Sequence, residues 1–218
     1  MKITPLKIFV SDTLGSVSAE FIEADSSATL LTLAHGAGAG MNHSFMSTLA
    51  KELAHHGIST LRFNFPFMEN KKGRPDVPAI AHKTIEVAIN KASELLPRVP
   101  LFASGKSFGG RISSQYLSKA KQDFIKGIIF YGFPLHPRGK PSADRAEHLK
   151  DIKIPTLFIQ GTRDELAEWS LIENVTNNLS QATLRKIEGA DHAFKAGKQN
   201  LIPTLAMLTS QWIKALSS

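Results

Sequence analysis

Short apolar runs recur along the chain at 28–34, 100–103, 126–132 and 154–160, and a more mixed stretch at 58–65 reads as a further strand. A run without polar alternation, and too short for a helix, is the mark of a strand buried on both faces. Between these runs lie stretches of different spacing. Ile85, Ala88, Ile89, Ala92, Leu95 and Leu96 fall on one stripe of a helix over 81–96, which Pro97 stops. Further helices are predicted from the start set by Asn42 or Ser44 to about His56, where Gly57 ends the helix, and over 108–120, 165–179 and 200–216. A last strand is predicted at 182–187. Residues 2–10 and 17–24 differ from the rest: 17–22 partly alternates, and a turn-rich link at 11–16 joins the two, as in a half-exposed antiparallel edge. Buried strands alternating with helices require a parallel sheet covered on both faces. The predicted fold class is α/β, a single domain over 1–218 with a mostly parallel central sheet and helices on both faces. No insertion between strands is large enough for a cap domain. The longest irregular stretch is 66–80, and a loop of that length in a compact domain is expected to border a binding site.

Composition removes several alternatives. The chain is 42% hydrophobic and 21% charged and has no cysteine, which excludes disulfides, a thiolate nucleophile and cysteine metal sites. Residues 1–6 show no apolar leader segment, and no apolar run approaches a membrane span, so the expected location is the cytoplasm, away from a membrane. The net charge of +7 is scattered, its densest cluster being Lys71-Lys72-Gly73-Arg74. It reads as solvated surface rather than a nucleic-acid footprint, and in the 66–80 loop it would favour acidic acyl groups.

The chemistry centres on Gly105-Lys106-Ser107-Phe108-Gly109, which fits G-x-S-x-G after the buried strand and before a helix. A serine in so sharp a turn needs glycine on either side, and Gly110 allows the helix to pack close to the sheet. Gly105-Lys106-Ser107 also matches the end of a phosphate-binding loop, but that motif needs glycine at position 100, where the chain has Pro100. Upstream, the strand 28–34 runs into His35-Gly36-Ala37-Gly38-Ala39-Gly40. A dinucleotide fingerprint would need glycine where Met41 stands; as a bare loop, however, 36–40 offers backbone N–H groups near Ala37 and Gly38 to an oxyanion, with Phe108 N–H as the second donor. His35 is expected to order this loop rather than take protons. His43 is expected at the surface or near the helix start, and His136 as a loop histidine without a role, in a stretch, Pro134-Leu135-His136-Pro137, that would supply a small pocket wall.

Two partners follow in order. Asp164 lies just after the strand 154–160, and His192 lies in a loop after the strand 182–187. Both positions belong to the sheet edge where open α/β sheets bind ligands. Asp164 also reads as an N-cap to a helix starting at Glu165, and one carboxylate oxygen can cap while the other faces a histidine. Asp191 reads as a turn-former, too close in sequence to reach the His192 ring. The order Ser107, Asp164, His192 is that of the α/β hydrolases. A catalytic set of Ser107, Asp164 and His192 with oxyanion donors Phe108, Ala37 and Gly38 therefore predicts hydrolysis of a small-molecule ester or thioester, needing no metal and no cofactor. The alternative is a non-catalytic module that keeps the fold to bind protein or a polyanion.

The segments His35-Gly36-Ala37-Gly38, Arg62-Phe63-Asn64-Phe65-Pro66, Gly105 to Arg111 and Gly189-Ala190-Asp191-His192 together resemble the α/β-hydrolase superfamily over nearly the whole chain. Within it they are similar to the small lidless dienelactone-hydrolase-like group, some of whose members serve in protein complexes. The resemblance implies a serine hydrolase fold and maps the triad onto Ser107, Asp164 and His192. It implies no particular substrate, and the serine in place of the cysteine of true dienelactone hydrolases argues against dienelactone itself.

Overall fold

The computed structural model describes residues 1–120 and 123–216. Among these residues eight strands form one sheet in the order β1-β2-β4-β3-β5-β6-β7-β8. β1 (Lys2–Ser11), β2 (Gly15–Glu23) and β4 (Ile58–Phe63) pair antiparallel in sequence. From β4 onward, through β3 (Thr29–Ala34), β5 (Leu101–Lys106), β6 (Ile125–Tyr131), β7 (Thr156–Gly161) and β8 (Ala182–Ile187), every pairing is parallel. β3, β4 and β7 are buried at every residue, β4 together with its polar Ser59, Thr60 and Arg62, whereas β1 and β8 expose residues as edge strands do.

Alternate residues of each inner strand enter two cores. On one face Leu31, Leu33, Phe102 and Ile129 pack with α1 (Ser44–His55) and α6 (Ile202–Leu216). On the other, Leu30, Ala103, Ile128 and Phe130 pack with α3 (Pro78–Leu95), α4 (Phe108–Leu117) and α5 (Trp169–Asn177). The chain leaves β3 toward β4 on one side and returns to β5 on the other. The carboxyl ends of β3 and β5 therefore flank the switch point of the sheet, where a crevice opens by necessity. No cap domain covers this edge among the described residues, nor is any helix there long and apolar enough to cross a membrane.

Several boundaries differ from the sequence reading, each for a local reason. The stretch 66–80 is not wholly irregular: Pro66–Glu69 forms a short helix, α2, and α3 starts at Pro78 rather than at 81. Both prolines occupy first helical positions, where a missing N–H costs nothing, and so start helices instead of breaking them. α1 is capped by neither Asn42 nor Ser44 but by His43, whose Nδ1 accepts from Phe45 N–H at 3.3 Å. α5 begins at Trp169 rather than Glu165, because the carboxylate and carbonyl of Asp164 take the Leu166 and Ala167 N–H groups into a separate turn. A 3-10 segment at Asp144–Asp151, between β6 and β7, packs against α4.

Candidate active site

The turn between β5 and α4 is sterically closed to side chains. A Cβ on Gly105 would lie 2.4 Å from Gly110 N, and one on Gly109 would lie 2.4 Å from Ala34 O. Real Cβ atoms do not approach so closely, so both glycines are fixed by packing. Ser107 between them adopts φ +51° and ψ −117°, a conformation that L-residues avoid. The turn lifts its hydroxyl above the sheet at the start of α4.

Three loops at this edge converge. Ser107 Oγ lies 2.8 Å from His192 Nε2, and His192 Nδ1 lies 2.7 Å from Asp164 Oδ2. A carboxylate only accepts, so Nδ1 carries the proton and Nε2 is left to accept from the Ser107 hydroxyl. Asp164 is 4% exposed. Its Oδ1 accepts from Leu166 N–H at 2.9 Å, and its Oδ2 also accepts from the Gln160 amide at 2.6 Å. One oxygen thus shapes a turn while the other faces the histidine. Asp191 does not reach the ring: its Oδ1 accepts from Ala193 and Lys195 N–H and shapes the loop that carries His192.

Two further residues join this cluster that the sequence reading did not assign to the site. Gln160 is fully buried; its Oε1 accepts from Phe133 N–H at 2.8 Å, which fixes its amide to donate to Asp164. The signal was a polar residue near the end of an otherwise apolar strand. Lys106, the variable residue before Ser107, does not project as a phosphate-loop lysine would. Its Nζ donates to the His192 carbonyl at 2.6 Å and lies 6.0 Å and 5.4 Å from the ring centroids of Phe45 and Phe194. Burial pulls its pKa down to about 8, against the opposing pull of Asp164 and Asp191.

His35 is fully buried and sits outside the proton chain. Its Nδ1 donates to Gly36 O at 2.7 Å and its Nε2 accepts from Phe65 N–H at 3.0 Å, which ties the 35–40 loop to the end of β4. His136 has a comparable structural place. It is 3% exposed, and its Nε2 accepts from Glu168 N–H. Of the stretch 134–137, only Pro134 faces the site.

Ser107 opens on two cavities, each of about 450 Å³, which share Ala37, Ser107 and Leu166. The first is walled by Gly36, Gly38, Phe45, Met46, His192 and Ala193. The second is walled by Asp76, Phe108, Arg111, Gln115, Pro134 and Arg145. The 66–80 loop thus borders the site through Pro75, Asp76 and Pro78, whereas Lys71, Lys72 and Arg74 are exposed and line neither cavity.

The loops holding Asp164 and His192 lean on each other at Gly161. A Cβ there would lie 2.2 Å from Ala190 O, while Arg163 N–H donates to the same carbonyl at 2.9 Å. Gly161→Ala is expected to destabilise the protein by about 1–3 kcal/mol through overpacking. Urea denaturation measures this, and unchanged stability would show that the two loops are not tightly coupled.

The comparisons agree with this architecture. The solved dienelactone hydrolase from Anabaena variabilis superposes with a TM-score of 0.80 at 17% identity, over 98% of this chain and 97% of that one. An alpha-beta serine hydrolase homologue from Coxiella burnetii gives 0.78 at 21% identity, over 98% of each chain. A serine hydrolase without lid from Xanthomonas campestris gives 0.75 at 19% identity, over 97% and 95%. Likeness at these identities speaks for the fold. The family model for the alpha/beta hydrolase domain matches residues 27–215, from the start of β3 into the last turn of α6, and the chain belongs to that family.

Proposed function

We propose that this chain is a serine hydrolase that cleaves a small carboxylic ester or thioester through an acyl-enzyme intermediate. The observation that carries the reading is the continuous hydrogen-bonded chain from Ser107 through His192 to Asp164, set where two cavities meet.

Each residue has a role that its surroundings suit. Ser107 Oγ attacks the carbonyl carbon as His192 Nε2 takes its proton. His192 then returns that proton to the leaving alcohol or thiol, and water repeats the sequence on the acyl-serine. Asp164, held by Gln160 and Leu166, keeps His192 in the required tautomer and stabilises the imidazolium. Phe108 is the first residue of α4, so its N–H has no acceptor within the helix and is free to meet a developing oxyanion. The second donor is Ala37 or Gly38 in the loop tied down by His35. Such a donor contributes about 3 kcal/mol to the transition state. The expected partner is the substrate itself, an uncharged or anionic small molecule, and the chemistry requires no cofactor.

The test is labelling with a fluorophosphonate probe, read by peptide mass spectrometry. An adduct on Ser107 that disappears in a His192→Ala variant is the expected result. No adduct on protein shown to be folded by circular dichroism would overturn the reading and favour a non-catalytic module.

A further inference from the structure

The two cavities beside Ser107 differ in a way that assigns the two halves of a substrate. His192 walls only the first. A leaving group must lie within reach of His192 Nε2 to receive its proton, so the first cavity takes the leaving group. The acyl chain is then directed into the second cavity, across Phe108.

That second cavity carries two guanidinium groups without acidic partners. Arg111 sits one helical turn beyond Ser107, its N–H donating to Ser107 O at 3.1 Å, and its guanidinium lies 5.9 Å from the Phe108 ring centroid. Its Nε is buried without a hydrogen-bond partner among the described residues. Among the described residues neither Arg111 nor Arg145 forms an ion pair. The one acid on the cavity wall is Asp76, whose Oδ2 accepts from Phe67 N–H at 2.9 Å. Desolvation, and secondarily the charge of Arg145, holds Arg111 below the usual guanidinium range. Among the neighbouring titratable groups His82, Lys119 and His148 lie in the same field, and Asp151 acts on His148. Two like charges facing one cavity, the Arg111 guanidinium desolvated, are a costly arrangement that a bound anion would relieve.

We propose that the second cavity is an acyl pocket for a carboxylate-terminated chain, in which Arg111 and Arg145 hold the distal carboxylate of a half-ester or half-thioester of a short dicarboxylic acid. The inference rests on the hydrolase reading above and narrows it. Arg111 lies one turn from Ser107, about 5.4 Å along the helix, which suits a chain with few carbons between its two carboxyl ends. Planar guanidinium groups match a carboxylate through paired N–H donors. In the reaction Ser107 Oγ bonds to the acyl carbon, and the bond from that carbon to the leaving oxygen or sulfur breaks. The proton passes through His192 to the leaving group. Water then releases the free dicarboxylic acid and restores Ser107. The selectivity for acidic acyl groups that the sequence placed on Lys71–Arg74 thus moves to two arginines on α4 and the 3-10 segment.

The experiment compares kcat/KM for mono-4-nitrophenyl glutarate with that for 4-nitrophenyl pentanoate, an uncharged ester of equal chain length. The expected wild-type result is a preference of at least about tenfold for the anionic ester, carried by KM. Arg111→Gln is expected to lower the ratio of the two by about tenfold, and Arg145→Gln by a smaller factor in the same direction. Arg145 lies on the partly exposed 3-10 segment, so its variant keeps the test available if Arg111→Gln does not fold. A wild-type ratio near one, or a ratio indifferent to both substitutions, would overturn the inference and leave the esterase reading intact. Failure to turn over either ester, together with no fluorophosphonate adduct, would overturn the esterase reading itself.

Discussion

Ser107→Gly is expected to abolish turnover and at the same time to make the protein more stable. The loss follows from the chemistry. Without Oγ there is no acyl-enzyme, and only donor alignment and binding remain, so kcat falls by about a thousandfold or more. The gain follows from the backbone. Ser107 is held at φ +51° and ψ −117°, which costs an L-residue on the order of 1–3 kcal/mol. Glycine accepts that conformation freely but loses more chain entropy on folding, so the net stabilisation is about 1 kcal/mol. Ser107→Ala is the control: it removes the same hydroxyl but keeps the Cβ, so activity falls and the gain in stability does not appear. Urea denaturation and nitrophenyl-ester assays on both variants decide the matter. If glycine and alanine are equally stable, the turn stores no strain. If glycine retains turnover, Ser107 is not the nucleophile.

Much of this architecture was legible in the sequence because one force dominates it. Burial on both faces of a parallel sheet leaves apolar runs, and those runs located β3 and β5 through β7, while β4 was read from a more mixed stretch. Ser107 and Asp164 were recognisable because each follows such a run, His192 because it follows the last strand at the same sheet edge, and the structure brings the three within hydrogen-bond reach. What the sequence concealed depends on packing between distant segments. Pro66 and Pro78 read as loop residues because nothing local tells a helix-starting proline from a turn proline. Glu165 to Glu168 has helical composition, but the Asp164 side chain and His136, from another loop, capture its backbone donors. Lys106 and Gln160 carried only weak signals as polar residues at the ends of apolar strands. Their partners, His192 O and Asp164, lie 86 and 4 residues away respectively, and the first is beyond any local reading. The basic character of the site was also misplaced, since a cluster in sequence drew attention to Lys71–Arg74 while Arg111 and Arg145 meet only in the fold.

The protein is expected to lose stability steeply between pH 6.5 and 4, with His35 as the largest single contributor. His35 is fully buried between the rings of Phe65 and Phe67, and desolvation lowers its pKa to about 4, opposed only in part by the Gly36 carbonyl. The hydrogen bonds require the neutral ring: Nε2 accepts from Phe65 N–H, so a second ring proton would face a donor. The unfolded chain therefore binds a proton near pH 6.5, while the folded chain resists until about pH 4. In that window the unfolded state holds more protons, so stability falls as pH falls. The linkage gives a loss of about 2 kcal/mol at pH 5 and about 3 kcal/mol at pH 4 from this residue. His148, also held down to about 4, chiefly by desolvation and then by Arg111, acts in the same direction but is more exposed. Glu69 joins only below about pH 4.5. Desolvation works against its charge, but donors from Asn64, Lys7 and Ser18 hold its pKa near 2, and that stabilisation is lost as it protonates. Urea midpoints measured from pH 7 to pH 4 on the wild type and on His35→Asn separate the terms. The variant should be less stable at pH 7, having lost the tie between the 35–40 loop and β4, and its curve should be flatter between pH 6.5 and 4. Parallel curves would show that His35 does not carry the acid sensitivity. A flatter curve together with reduced ester turnover at pH 7 would show that one buried imidazole both fixes the candidate oxyanion loop and sets the acid limit of the fold.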